Sequence, residues 1–219
     1  MKGFTKRFYL ALGVYLLALW LVALWAYPRM PAHMVTHWDW QGQPDDWMPR
    51  LWGVLLGPGM TTFLAALLFF VVPAIEPWRR NLMAFWDFYV RFAWAVLVFL
   101  GAMYGVTLAW NLGYPVRIER VVGLALGLLF LMLVPLLRQA RPNWFVGIRT
   151  PWTLASPWVW RRVHDVAART VVGVAALYLA AALWPVLLWA ALAATLLWAF
   201  GLMVYSYLLY RSRQQAMEG

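Results

Sequence analysis

Side chains that could bind a metal or take part in catalysis gather in two polar loops of an otherwise apolar chain. The first loop, 28–50, holds two imidazoles and three carboxylates, namely His33, His37, Asp39, Asp45 and Asp46. If Pro31 opens a short helical turn, His33 and His37 lie four residues apart on one face. Two imidazoles and a carboxylate suit zinc or another divalent ion. The pattern therefore predicts a metal site, although Met34 stands where a zinc protease carries its general base.

Two other interpretations of this loop stay open. A Trp-rich loop can simply anchor at the membrane–water interface. In that case Gly42-Gln43-Pro44 forms a turn and Asp45 caps the next helix. Alternatively, His33 and His37 sense pH, since histidine changes its charge near neutrality.

The second loop, 138–165, contains Arg149 at the centre of a structured turn. A guanidinium can bind a phosphate or a carboxylate through two parallel hydrogen bonds. It can equally bind backbone carbonyls and lipid headgroups at the membrane surface. Ser156-Pro157 is typical of a helix start, and the helix that follows would place Trp160 and His164 on one face.

The composition places both loops in a membrane protein. Of the 219 residues, 65% are hydrophobic and 12% are charged, against roughly 45–50% and about 25% in soluble domains. The net charge of +10 fits basic loops beside a membrane. It does not indicate nucleic acid, because no basic run outside the spans is long enough to follow phosphates. The chain has no cysteine, which excludes disulfides and thiolate metal sites.

Six segments are apolar and long enough to span a membrane, which takes about 20 helical residues. They cover about 8–27, 51–75, 92–110 and 118–137, and two more share 166–210. We divide the last stretch at Trp184-Pro185, because proline is tolerated in the first turn of a helix. The fold is therefore predicted to be all-α, an integral membrane bundle of six helices. Glu76, which follows the second span, is expected at the surface.

Glycines spaced four apart predict close packing of helices within the monomer. These pairs are Gly53/Gly57, Gly101/Gly105 and Gly123/Gly127.

Basic residues predict that both termini are cytoplasmic. With the N-terminus inside, the outer side holds only four of the 18 Lys and Arg residues, namely Arg29, Arg50, Arg117 and Arg120. The inner side holds the remainder, including Lys2, Lys6 and Arg7. The first loop is then external and the second is internal.

The second loop resembles the signature of the SdpI family, bacterial membrane proteins named for an immunity protein against a sporulation-linked killing peptide. The matching residues are Asn143, Gly147, Ile148, Arg149, Thr150, Pro151, Trp152, Thr153, Leu154, Trp160 and His164. The first loop resembles the small domain of unknown function that often precedes this signature, through Pro31, His37, Gly42, Pro44 and Asp45.

The resemblance implies a multi-pass protein of the bacterial cytoplasmic (inner) membrane that gives immunity to, or senses, a membrane-active antimicrobial peptide. It also implies signalling, through a cytoplasmic regulator held at the membrane by the internal loop. The signature residues would then form a ligand site or a structural site, and the external loop would meet a peptide or lipid ligand. The expected partners are these and the lipid bilayer, with no nucleic acid, and the oligomeric state stays open.

From the residues alone, two other classes of protein remain as alternatives. One is a metal-dependent membrane enzyme, in which a zinc-bound water on the external loop attacks a lipid-linked or peptide substrate. The other is a transporter, which is disfavoured because the spans contain almost no ionisable residue. A binding protein is expected before an enzyme, and no catalytic residue is assigned.

The chain is expected to have three parts. Residues 1–75 form an N-terminal helical hairpin with the external loop, and 76–137 form two middle helices. Residues 138–219 hold the signature loop, a C-terminal helical hairpin and a short tail.

Overall fold

A computed structural model describes residues 4–39 and 41–218. Lys2, which contributes to the basic bias, and Trp40, in the Trp-rich loop, lie outside the described residues. In chain order the elements are α1 (Lys6–Ala26), β1 (His33–Trp38), β2 (Pro44–Pro49), α2 (Arg50–Ala66), α3 (Val72–Ile75), α4 (Arg79–Ala84), α5 (Trp86–Asn111), α6 (Ile118–Gln139), α7 (Pro151–Ala155), α8 (Pro157–Ala181) and α9 (Leu187–Glu218). A 3-10 turn, Tyr27–Arg29, follows α1, and a π-helical turn, Leu67–Val71, joins α2 to α3.

Six helical segments within the described residues are long and apolar enough to cross a membrane. They confirm the predicted helical multi-span fold, with one exception, the hairpin β1–β2. One span starts earlier than predicted, at Trp86, and its first turn carries Asp87, which a search for purely apolar segments leaves out. The fifth span is continuous with the helix predicted to start at Ser156-Pro157.

The π-helical turn before α3 is followed by a proline, Pro73, in the first turn of α3. Pro73 has no N–H to donate, so the carbonyl of Leu68 loses the partner that a π-helix would supply five residues later. The hydroxyl of Tyr89, on α5, donates to this carbonyl instead. The second span thus continues past its proline, and Tyr89 ties it to the third.

The predicted break at Trp184-Pro185 is confirmed, since α8 ends at Ala181 and α9 begins at Leu187. The glycine spacing is explained inside the monomer, as predicted. A Cβ atom on Gly123 would lie 2.9 Å from the backbone nitrogen of Ala182. A Cβ on Gly57 would lie 2.2 Å from the ring of Tyr104. Both helix contacts therefore need glycine, whereas Gly105 faces open space.

The two polar loops lie at opposite ends of the bundle. The hairpin β1–β2 packs where α1 ends, α2 begins and α5 ends, and we call this the hairpin end. The loop 139–156 packs against residues 76–81 and the last turns of α9, and we call this the signature end. Helix α5 has 26 residues, which at 1.5 Å per residue separates the ends by about 39 Å. No single small-ligand site can use both loops.

Candidate functional site

The first loop is a β-hairpin, so the predicted helical turn at Pro31 is wrong. Strand β1 pairs antiparallel with β2, and His33 lies opposite Pro49. A turn is present as predicted, but it begins earlier, at Asp39, and Pro44 already belongs to β2. Gly42 in this turn has a φ of +74°, and Oδ1 of Asp39 accepts hydrogen bonds of 2.8 Å from the backbone N–H groups of Gln41 and Gln43. This carboxylate holds the tip of the hairpin.

The strand separates the predicted metal ligands. His33 and His37 lie about 13 Å apart along an extended chain at roughly 3.3 Å per residue, instead of one helical turn apart. Asp39 is occupied in the turn, and Oδ1 of Asp46 accepts from the N–H of Trp47 at 2.8 Å. Within residues 4–39 and 41–218, no three His, Cys, Asp or Glu side chains form a group that could hold a metal ion.

One pair of these residues does meet. His37 Nδ1 and Asp45 Oδ1 lie 2.6 Å apart on the exposed face of the hairpin. Asp45 therefore does not cap the next helix, and α2 begins after Pro49 without a side-chain cap. Beside this pair, Asp46 and Trp47 are also exposed.

The inner face of the hairpin is fixed to the helices. Asn111, at the end of α5, accepts from the N–H of Val35 at 2.8 Å and donates to its carbonyl at 2.9 Å. The side-chain amide thus forms the two hydrogen bonds that a neighbouring strand would otherwise form with Val35. Met34 is fully buried and would lie 2.9 Å from a Cβ on Gly53. The hairpin therefore presents its outer side chains from a fixed position.

A groove of about 190 Å3 lies beneath the hairpin, between α2 and α5. Its walls are apolar apart from Thr36 and Thr107. The hydroxyl of Thr107 donates to the carbonyl of Met103 at 3.0 Å. The hydroxyl oxygen of Thr36 is buried and has no hydrogen-bond partner among the described residues. The groove therefore offers a largely apolar surface.

The signature loop at the opposite end is organised by Asn143, which is fully buried. Its Oδ1 accepts from the N–H groups of Phe145 and Val146 at 2.9 and 2.6 Å. Its Nδ2 donates to the carbonyls of Arg141 and Val146 at 2.8 and 2.9 Å. The side-chain amide therefore makes all four of its hydrogen bonds within the loop itself.

Gly147 packs closely against the imidazole of His164. Gly147 has a φ of +107°, and a Cβ there would lie 2.3 Å from Nε2 of His164. That nitrogen accepts from the N–H of Ile148 at 3.0 Å, and Nδ1 lies 2.8 Å from the carbonyl of Trp160. A carbonyl only accepts, so the imidazole is neutral with its proton on Nδ1. As predicted, Trp160 and His164 share a face, and their rings stack at 4.1 Å.

The remaining signature residues start a helix and dock it. Thr150 caps α7 and forms a capping box with Thr153, and Pro151 follows in the first turn. The hydroxyl of Thr150 lies 3.0 Å from that of Ser206 on α9. Trp152 contacts Tyr207 of α9 edge to face at 5.1 Å. These contacts join the signature loop to the last helix.

Arg149 is exposed, and its Nη1 donates to the carbonyl of Trp144 at 2.5 Å. The carbonyl-binding alternative for Arg149 therefore has a contact in the structure. The surface expectation for Glu76 is wrong, since this residue is 4% exposed. Its carboxylate accepts from the N–H groups of Trp78 at 2.8 Å and Trp144 at 3.0 Å. The sequence signal for this role was weak, because the partner lies 68 residues away.

Comparison with known proteins finds a family match for each of the two segments that contain the polar loops. Residues 139–206 match the SdpI/YfhL protein family, and residues 14–62 match a domain of unknown function, DUF1648. One curated relative, Immunity protein SdpI of Bacillus subtilis (strain 168), is 32% identical over 77 residues, which are 35% of this chain and 37% of the relative. The match thus spans little more than a third of the relative's length. No solved structure matches the chain significantly. The resemblance to the SdpI family and to the preceding domain is confirmed.

Proposed function

We propose that this chain, which carries an SdpI/YfhL family segment, is a membrane immunity protein that binds a membrane-active antimicrobial peptide at its hairpin end. The name of the curated relative supports immunity as the general role. The observation that carries the peptide site is the hairpin, an anchored element on which Asp45, Asp46 and Trp47 are each exposed.

The chemistry of this face favours a cationic peptide with apolar side chains. Carboxylates complement basic side chains and direct the encounter, and an exposed tryptophan supplies a large contact area. The groove below the hairpin has apolar walls that suit one apolar side chain of the same peptide. In the signature loop, Asn143, Thr153 and His164 are buried and hydrogen-bonded, so these three residues are not available to a peptide.

The proposal includes an orientation in the bacterial cytoplasmic membrane. The basic residues favour a cytoplasmic signature end, so the hairpin faces outward, where a peptide arrives.

Survival of peptide-sensitive cells tests the proposal. Bacillus subtilis cells that lack their own immunity protein would express this chain or a variant and receive the purified killing peptide. We expect the chain to restore survival. The D45N/D46N variant and the W47A variant should each lower the tolerated peptide concentration by about thirtyfold, which corresponds to a binding loss of about 2 kcal/mol.

Matched variants separate recognition from folding. D45E/D46E keeps the charge and should keep protection. W52A removes another exposed tryptophan, 63% exposed on α2 outside the hairpin, and should also keep it. Protection by D45N/D46N and W47A at the level of the unmodified chain would refute the peptide site, and absence of protection by any form would refute immunity to this peptide.

For the signature end we propose the narrower role of contacting a cytoplasmic regulator through Arg149 and Trp144. Trp144 is 50% exposed, and Arg149 lies on the same surface. A fluorescent regulator should move to the membrane when cells expressing the chain meet the peptide, and it should stay in the cytosol with R149A. Equal recruitment by R149A would refute this contact.

A further inference from the structure

Two basic grooves at the signature end share Pro157 as a common wall. We propose that together they bind one phospholipid that carries two phosphate groups, a diphosphatidylglycerol, with one phosphate in each groove. This inference does not depend on peptide immunity, and it concerns the end of the molecule opposite the hairpin.

The first groove has a volume of about 570 Å3 and lies between α4 and the start of α8. Arg79 and Arg80 line it and are exposed. Neither Asp nor Glu lines this groove among the described residues. Asn81, in the same wall, donates to the carbonyl of Pro142 at 2.7 Å and holds the two sides together.

The second groove has a volume of about 490 Å3 and lies between the start of α8 and the last turns of α9. Nη1 of Arg213 donates to the hydroxyl of Ser156 at 3.1 Å. The guanidinium of Arg213 lies 5.3 Å from the ring of Trp158, and that of Arg162 lies 5.7 Å from the same ring. Arg213 is thus held in place while most of its five N–H donors remain for a phosphate.

Acidic groups near the grooves do not oppose an anion. Both grooves are lined without Asp or Glu among the described residues. Glu76 adjoins the first groove in sequence, but its oxygens already accept from the N–H groups of Trp78 and Trp144. Asp165 lies seven residues beyond Trp158, two helical turns further along α8.

The position of the grooves favours a lipid over a soluble anion. They lie at the ends of membrane-spanning helices, and the partly exposed Trp78 and Trp158 are residues typical of the headgroup level. Leu154 and Pro157 give the first groove apolar walls, which suit the acyl chains of a lipid. Basic pockets between helices on the cytoplasmic side are the sites where lipids with two phosphates bind.

Native mass spectrometry of the purified chain in mild detergent tests the proposal. The probes are diphosphatidylglycerol and phosphatidylglycerol with the same acyl chains. We expect one diphosphatidylglycerol per chain, bound at least tenfold more tightly than phosphatidylglycerol. R79Q/R80Q and R213Q should each weaken this binding, by about fivefold for every arginine removed, and inorganic phosphate should not displace the lipid.

Control variants make the result specific. R211Q removes an exposed arginine of α9 that lines neither groove, and R117Q/R120Q matches the double substitution at the hairpin end. Both should bind the lipid as the unmodified chain does, and every variant is compared by thermal unfolding. Equal affinity for the two lipids, an equal loss in the controls, or displacement by inorganic phosphate would overturn the proposal.

Discussion

The signature loop and the hairpin lie at opposite ends of one bundle, and they use polar side chains in opposite ways. At the signature end Asn143, Thr153 and His164 are buried and hydrogen-bond to backbone groups. At the hairpin end His37 and Asp45 pair in an exposed position, where such pairs contribute about 0–1 kcal/mol. The buried signature residues therefore mainly stabilise the fold. The hairpin, in contrast, presents its His37–Asp45 pair to the surroundings.

The largest expected effect is that of G147A. A side chain at a φ of +107° is strained, and its Cβ would meet the imidazole of His164. We expect the free energy of unfolding to fall by about 3–5 kcal/mol, measured by denaturant titration in mild detergent. Gly173 in α8 has open space around its Cβ position, so G173A should change stability by less than about 1 kcal/mol.

N143A should follow in size. The substitution leaves two N–H groups and two carbonyls of the loop without their partner, at an expected cost of about 2–4 kcal/mol in the same titration. N143D keeps the acceptor and loses the donors, so it should fall between N143A and the unmodified chain. A stable N143A protein would mean that the signature loop does not depend on this residue for its fold.

N111A tests whether Asn111 fixes the hairpin to the helices. It removes both hydrogen bonds to Val35, and we expect the hairpin to open more easily by about 1–3 kcal/mol. Amide hydrogen exchange at Val35 measures this directly, with Leu97 in the middle of α5 as the internal reference. Unchanged exchange at Val35 would show that packing of Met34 alone holds the hairpin.

The smallest expected effect is that of H37Q. Loss of an exposed pair with Asp45 should change the free energy of unfolding by less than about 1 kcal/mol. A cost comparable to that of N143A would contradict the contrast between the two ends, since it would give the hairpin's outer face a structural role.

The helices were predictable because membrane spans need long apolar segments, and the break at Pro185 and the start at Ser156-Pro157 follow from proline and capping chemistry. The pairing of Trp160 with His164 also follows from helical spacing. The hairpin was missed because its strands are short and partly exposed, and because His33 and His37 fit a helical period as well as a strand.

Long-range contacts could not be predicted from the sequence, for a different reason. Glu76 reaches Trp144, and Thr150 reaches Ser206, across 68 and 56 residues. Local spacing carries no information on such pairs, because helix packing brings them together. The same limit applies to the grooves at Pro157, whose arginines come from α4 and α9.

The two prolines that bound β2 restrict how the hairpin can recognise anything. Pro44 and Pro49 have no N–H, and charged side chains follow the first of them along this strand, all of which discourage another chain from adding as a strand. Strand addition at the edge of β2 is therefore disfavoured, which leaves the exposed side chains of this strand as its means of recognition. The edge of β2 therefore offers little template for the growth of a larger sheet between neighbouring chains.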